Sequence, residues 1–113
     1  MFPPIEFRMQ GGFAPSNNAL LTRTATAASY TVLPTDYLIG VTDTSAARTI
    51  TLPTVPGLNQ TFIIKDESGA AATNNISITA NGTITIDGLT SVALNTNYGA
   101  LQVYFSGTNY FIL

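Results

Sequence analysis

Glu6, Asp36, Asp43, Asp66, Glu67 and Asp87 are the only carboxylate side chains in this 113-residue chain, which carries four basic residues and no histidine or cysteine. Without His and Cys, neither a Ser-His-Asp nor a Cys-His nucleophile can be assembled, and the usual zinc ligand sets are missing. Glycoside hydrolysis would need only two carboxylates flanking a sugar. Asp66 and Asp87 are the pair to weigh, but each stands at a strand end near Gly69 or Gly88, where Asp is a common turn residue. Asp66-Glu67-Ser68 lacks the ligand spacing of a calcium loop and reads as a turn. The expectation is a protein with no catalytic residue, metal or cofactor. Arg48 and Lys65, also at strand ends, read as solvated charges or as pairs that fix register between subunits. Tyr98, Asn109 and Tyr110 supply the aromatic and amide groups that a sugar-binding tip would use. The alternative for them is a core-edge role with a wet hydroxyl.

Only ten of the 113 residues are charged and the net charge is −2, about a third of the usual charged share. Phosphate neutralisation needs clustered Lys and Arg, so nucleic acid and anionic membrane surfaces are not expected partners. A surface so poor in charge suits a subunit that spends it on contacts. The length fits one domain. The amino terminus has no basic start followed by an apolar run, and no stretch reaches the ~20 apolar residues of a membrane span, so a soluble protein made in a cytoplasm is expected.

Strand signals recur every 8–12 residues or so from Ser29 onward, the spacing of a sandwich or barrel. Tyr30–Val32, Tyr37–Val41, Arg48–Leu52, Thr61–Asp66, Ser91–Leu94 and Ala100–Phe105 are expected strands, the last closing as a hairpin onto Asn109–Leu113 across Ser106-Gly107-Thr108. Between Asn74 and Gly88, strict apolar/polar alternation on both sides of Ala80-Asn81-Gly82 predicts a central hairpin. A three-residue loop with Gly82 in the left-handed region sets Ile78 opposite Ile84 and Ile76 opposite Ile86. Its outer face would then carry Ser77, Thr79, Thr83 and Thr85. No segment has helical periodicity over ten residues. The expected fold is all-β: a small antiparallel, jelly-roll-like β-sandwich or barrel-like knob over residues 29–113.

Residues 1–28 read differently. Pro3-Pro4, Gly11-Gly12 and Pro15 break any regular element, yet Phe2, Ile5, Phe7, Met9 and Phe13 are too apolar for a bland disordered tail. An arm that orders against a partner is expected, by adding a strand to a sheet edge there. The alternative is an arm folded back as an edge strand of its own domain. Ala19–Ala28 would be a linker, with a weak helix signal over Asn18–Thr24. Some strands are apolar on both faces, and Leu38, Ile63, Tyr104, Phe111 and Leu113 are the residues expected to need another cover. A closed homo-oligomer would supply it; a sandwich in which these strands are central and flanked by loops is the alternative.

The run Ala47-Arg48-Thr49-Ile50-Thr51-Leu52-Pro53, Phe62-Ile63-Ile64-Lys65-Asp66-Glu67-Ser68-Gly69, Asn74-Asn75-Ile76-Ser77-Ile78, Thr85-Ile86-Asp87-Gly88, Tyr98-Gly99-Ala100 and Gly107-Thr108-Asn109-Tyr110-Phe111 resembles the small β domains of bacteriophage virion appendages. These occur in tail fibres, tail spikes, head fibres and capsid decoration proteins. The resemblance covers roughly residues 29–113 and implies a trimeric, non-enzymatic module with its amino-terminal side attached to the particle. Shaft repeats and coiled-coil heptads are missing, so the chain is most similar to a decoration, or cement, protein. That implies a homotrimer on the major capsid protein, located in the virion after assembly in the host cytoplasm, with Phe2, Ile5, Phe7, Met9 and Phe13 as the docking arm. The other expectation is a tail-fibre or tail-spike tip that binds a host-surface glycan through Tyr98, Asn109 and Tyr110.

Overall fold

A computed structural model of the chain describes residues 21–113, which contain nine strands and no helix. They are β1 (Arg23–Thr26), β2 (Tyr30–Thr31), β3 (Leu38–Val41), β4 (Arg48–Thr51), β5 (Thr61–Asp66), β6 (Ile76–Thr79), β7 (Ser91–Leu94), β8 (Ala100–Phe105) and β9 (Tyr110–Ile112). The first sheet has the order β9-β8-β5-β3-β1 and the second β2-β4-β6-β7. The fold is therefore all-β in two layers, as the strand spacing predicts.

The strand directions depart from the antiparallel expectation. From β1 to β6 the chain changes sheet after every strand, so each return to a sheet completes one turn of a coil. A strand that returns in this way runs parallel to its predecessor, and β1–β3, β3–β5, β2–β4 and β4–β6 are all parallel pairs. Parallel neighbours normally need a crossover of a dozen or more residues; here a strand of the opposite sheet is that crossover. The winding stops at the carboxyl end, where β7 lies antiparallel to β6, β8 to β5, and β9 to β8. The predicted hairpin across Ser106-Gly107-Thr108 is present, with Phe111 opposite Tyr104.

Period-two alternation buries one side of each strand between the layers. Ile39, Val41, Phe62, Ile64, Val103, Phe105 and Tyr110 come from the first sheet, and Ile50, Ile76, Ile78 and Leu94 from the second. Each such side chain contributes roughly 1.5–3 kcal/mol relative to exposure. The Tyr110 ring packs against Phe105 and Phe62 with centroids 5.1 and 6.3 Å away. Its hydroxyl donates to the Pro53 carbonyl oxygen at 2.6 Å, which satisfies the one polar atom that this packing buries.

Two expected elements are replaced. The central hairpin does not form: Gly82 adopts the predicted left-handed conformation (φ 63°), but β6 pairs with β7 and sets Ile78 opposite Val92. Thr85–Asp87 leaves that sheet and reaches the free side of β9, where Tyr110 N donates to Thr85 O and Asp87 N to Tyr110 O. Ile86 is consequently buried in the core. Ser77 and Thr79 keep the hydroxyl-bearing outer face, but Thr83 and Thr85 are not part of it. The second correction concerns Ala19–Ala28: its Arg23–Thr26 portion, expected as linker, is β1, paired residue for residue with β3. The weak helix signal over Asn18–Thr24 gives no helix from 21 onward, and its first residues lie outside the described ones.

Candidate functional site

Three places on the domain bear on function. The first is the outer face of the first sheet. Leu38 is the register partner of Ile63, Ile63 of Gln102, and Tyr104 of both Thr61 and Phe111. Four of the five residues expected at an oligomer interface thus share one face, spanning β3, β5, β8 and β9. Leu38, Ile63 and Tyr104 are half-buried, Phe111 is 39% exposed, and Leu113, just beyond β9, is 68% exposed. The Tyr104 and Phe111 rings are stacked obliquely with centroids 5.8 Å apart. The opposite, outer face of the second sheet is uncharged and rich in hydroxyls: Thr31, Thr51, Thr79 and Ser91 stand in one register row.

The second place is the turn after β5. Asp66 is fully buried. Its Oδ1 accepts from the Ser68 and Gly69 N–H groups at 3.0 and 2.9 Å, and its Oδ2 from those of Ala71 and Tyr98 at 3.1 Å each. Burial pushes its pKa up, but the four backbone donors outweigh that and hold the carboxyl below the usual range. Its carboxylate ties the turn after β5 to the residue before β8. Asp87 instead accepts from Ile112 N and, among the described residues, shares no hydrogen-bond partner with Asp66, the other carboxylate weighed for a catalytic pair. Lys65 donates to the Tyr98 carbonyl, and Arg48 pairs with Asp43 at 3.3 Å, so both expected lone charges have partners within the chain. Arg23 of β1 meets Glu67 in a two-point ion pair laid over Gly40. Among the described residues no three potential metal ligands cluster.

The expected glycan trio does not assemble. Tyr98 is 60% exposed before β8, whereas Asn109 and Tyr110 follow it, with six strand residues or about 20 Å between them. Tyr110 is buried, and Asn109 Oδ1 accepts from the Thr85 N–H at 2.9 Å.

The third place was not legible as a site in the sequence. A cleft of about 580 Å³ opens between the β2–β3 connection and the start of β5, lined by Leu21, Pro34, Thr35, Asp36, Tyr37, Gln60, Thr61 and Gln102. Asp36 is 9% exposed and accepts from Thr24 Oγ1, Tyr30 Oη and Leu33 N at 2.9, 2.7 and 2.8 Å. Tyr30, donating to that carboxylate, has its pKa raised to about 12. Pro34-Thr35-Asp36 reads in sequence as a strand-ending turn, and the two glutamines are remote from it along the chain. Their only sequence signal is that two of the chain's three glutamines fall in or beside strands.

No protein-family model matches the chain, and no curated protein matches it significantly.

Proposed function

We propose that the chain is a structural protein of a bacteriophage particle, a capsid decoration or cement protein that assembles as a homotrimer on the major capsid protein. The observation that carries this reading is the alignment of Leu38, Ile63, Tyr104 and Phe111 on one outer sheet face. This half-buried face sets those apolar residues among Arg23, Thr61, Lys65 and Gln102, and on so weakly charged a chain it is the kind of surface that a second copy covers. Phe2, Ile5, Phe7, Met9 and Phe13 lie outside the described residues; their reading as a docking arm rests on their apolar character in sequence, and the capsid as its partner on the resemblance to phage decoration proteins. Stabilisation of the particle follows by mass action, because a ligand that binds only the assembled shell raises its stability.

The test compares wild-type protein with a variant bearing serine at Ile5, Phe7 and Met9. Both should be trimers by light scattering, while only the wild type binds bare capsids of the parent phage and raises their melting temperature. Equal binding by both would remove the arm from the reading. Binding by neither would end the decoration assignment.

A further inference from the structure

We infer that the cleft between Tyr37 and Gln102 is a binding site for a neutral oligosaccharide. The inference is independent of the capsid assignment and moves sugar recognition away from Tyr98, Asn109 and Tyr110.

The cleft volume of about 580 Å³ lies within the range of small-molecule sites, roughly 300–1,000 Å³. Its walls divide into groups already held in place and groups still open to a ligand. Gln60 is held at both ends of its amide: Oε1 accepts from Gly57 N at 2.8 Å and Nε2 donates to the Pro34 carbonyl. The Asp36 carboxylate is held by three donors. Tyr37 is pinned through its backbone, where its carbonyl accepts from Ile63 N at 2.9 Å. These contacts preorganise the cleft, which lowers the entropy lost on binding.

The Tyr37 phenol, the Thr35 hydroxyl and the Gln102 carboxamide have no hydrogen-bond partner among the described residues. They offer donors and acceptors of both kinds and no positive charge. With no cation in the cleft and one buried carboxylate, an anionic ligand is disfavoured, while the committed Asp36 leaves little to attract a cation. Sugar hydroxyls match what remains: they donate and accept together, and the C–H patches of a pyranose ring suit the negative face of a tyrosine. Two of the cleft's lining residues, Thr61 and Gln102, belong to the outer face of the first sheet. Gln102 stands in the row of Ile63 and Thr61 in that of Tyr104, so a subunit packed on that face would cover this side of the cleft, and sugar and subunit would compete for it.

The test is a titration of ¹⁵N-labelled full-length protein with maltotriose, cellotriose and tri-N-acetylchitotriose, with 3′-sialyllactose as the anionic comparison. At least one neutral trisaccharide should shift the amides of Thr35, Tyr37, Thr61 and Gln102 and leave Tyr98 unmoved. Gln102→Ala, an exposed position, should weaken binding about 5- to 10-fold, the loss of one neutral hydrogen bond. Tyr37→Phe should weaken it less and thereby separate the ring from its hydroxyl. The inference is overturned if no neutral trisaccharide shifts the cleft, if sialyllactose binds best, or if the shifts appear at Tyr98 and survive Gln102→Ala.

Discussion

The ring of Tyr98 lies directly against the Cα of Gly69: a Cβ built on Gly69 would stand 2.3 Å from the ring carbon Cζ. Both residues have positive φ, 95° and 57°, and both donate their backbone N–H to the same buried carboxylate, Asp66. Gly69→Ala therefore combines left-handed strain with overpacking and should destabilise the domain by about 2–4 kcal/mol. Tyr98→Ala in the Gly69→Ala background removes the collision but not the strain. A double-mutant cycle by urea denaturation should give a coupling of about 1 kcal/mol or more, and additivity would show that the ring does not confine Gly69.

Asp66 gathers Ser68, Gly69, Ala71 and Tyr98, so its removal orphans four buried or half-buried donors. Asp66→Ala should cost about 3–5 kcal/mol. Asp66→Asn keeps one acceptor and turns an amide nitrogen toward one pair of N–H groups, so it rescues only part of the loss. The acid limb follows from the lowered pKa of the folded carboxyl. Its contribution is complete above the unfolded value near ~3.9 and is lost as pH falls through the lower folded value. Denaturation midpoints between pH 5 and 2 should fall for the wild type and flatten in Asp66→Asn; parallel curves would exclude this role.

Tyr30 reports the other limb. Its hydroxyl donates to Asp36, and ionisation would set a phenolate against a carboxylate, which raises its pKa from 10 to about 12. The raised value means that stability is whole below pH 10 and is lost as pH climbs through about 12. Tyr30→Phe should be less stable at neutral pH yet lack most of that alkaline loss. Ultraviolet titration of the phenolate band checks it, since an unchanged high-pH step in the variant would assign the step to another tyrosine.

Phe111 is the residue with which to probe the outer face, because it is partly exposed and its neighbours on β9 carry the core contacts. If the wild type is the proposed oligomer, Phe111→Asp should be a monomer by light scattering with an unchanged circular-dichroism spectrum. A monomeric wild type, or an oligomer insensitive to this change, would leave the face without the proposed partner.

The sequence patterns located nearly all of these strands, because burial on one face writes period-two alternation directly into the chain: Thr61–Asp66 and Ala100–Phe105 coincide with β5 and β8. Alternation cannot say which neighbour a strand chooses. Pro53 and Pro56 mark a connection after β4 but not whether it turns back or crosses to the other sheet. The cleft was hidden for the same reason: Tyr37, Gln60 and Gln102 converge through parallel and antiparallel pairings that no local pattern encodes. Likewise, Asp66 looked like a turn residue, which it is, but one of its four backbone donors, the Tyr98 N–H, arrives from 32 residues away.

Ile86 separates the two structures that this alternation allows. In a hairpin with β6, Ile86 would face Ile76 from a strand on the sheet and Thr85 would share the solvated outer face. In the structure, Ile86 is fully buried and bridges to Leu89 and Tyr110, while Thr85 binds Asn109. Ile86→Ala opens a cavity in the core, and truncations of this kind cost about 2–5 kcal/mol. Asn109→Ala strips the Thr85 N–H of its acceptor and should cost about 1–2 kcal/mol. Because both residues hold the Thr85–Asp87 strap against β9, their effects should be less than additive in a urea-denaturation cycle. In the hairpin arrangement Asn109 would have no tie to Thr85, and the two losses would simply add.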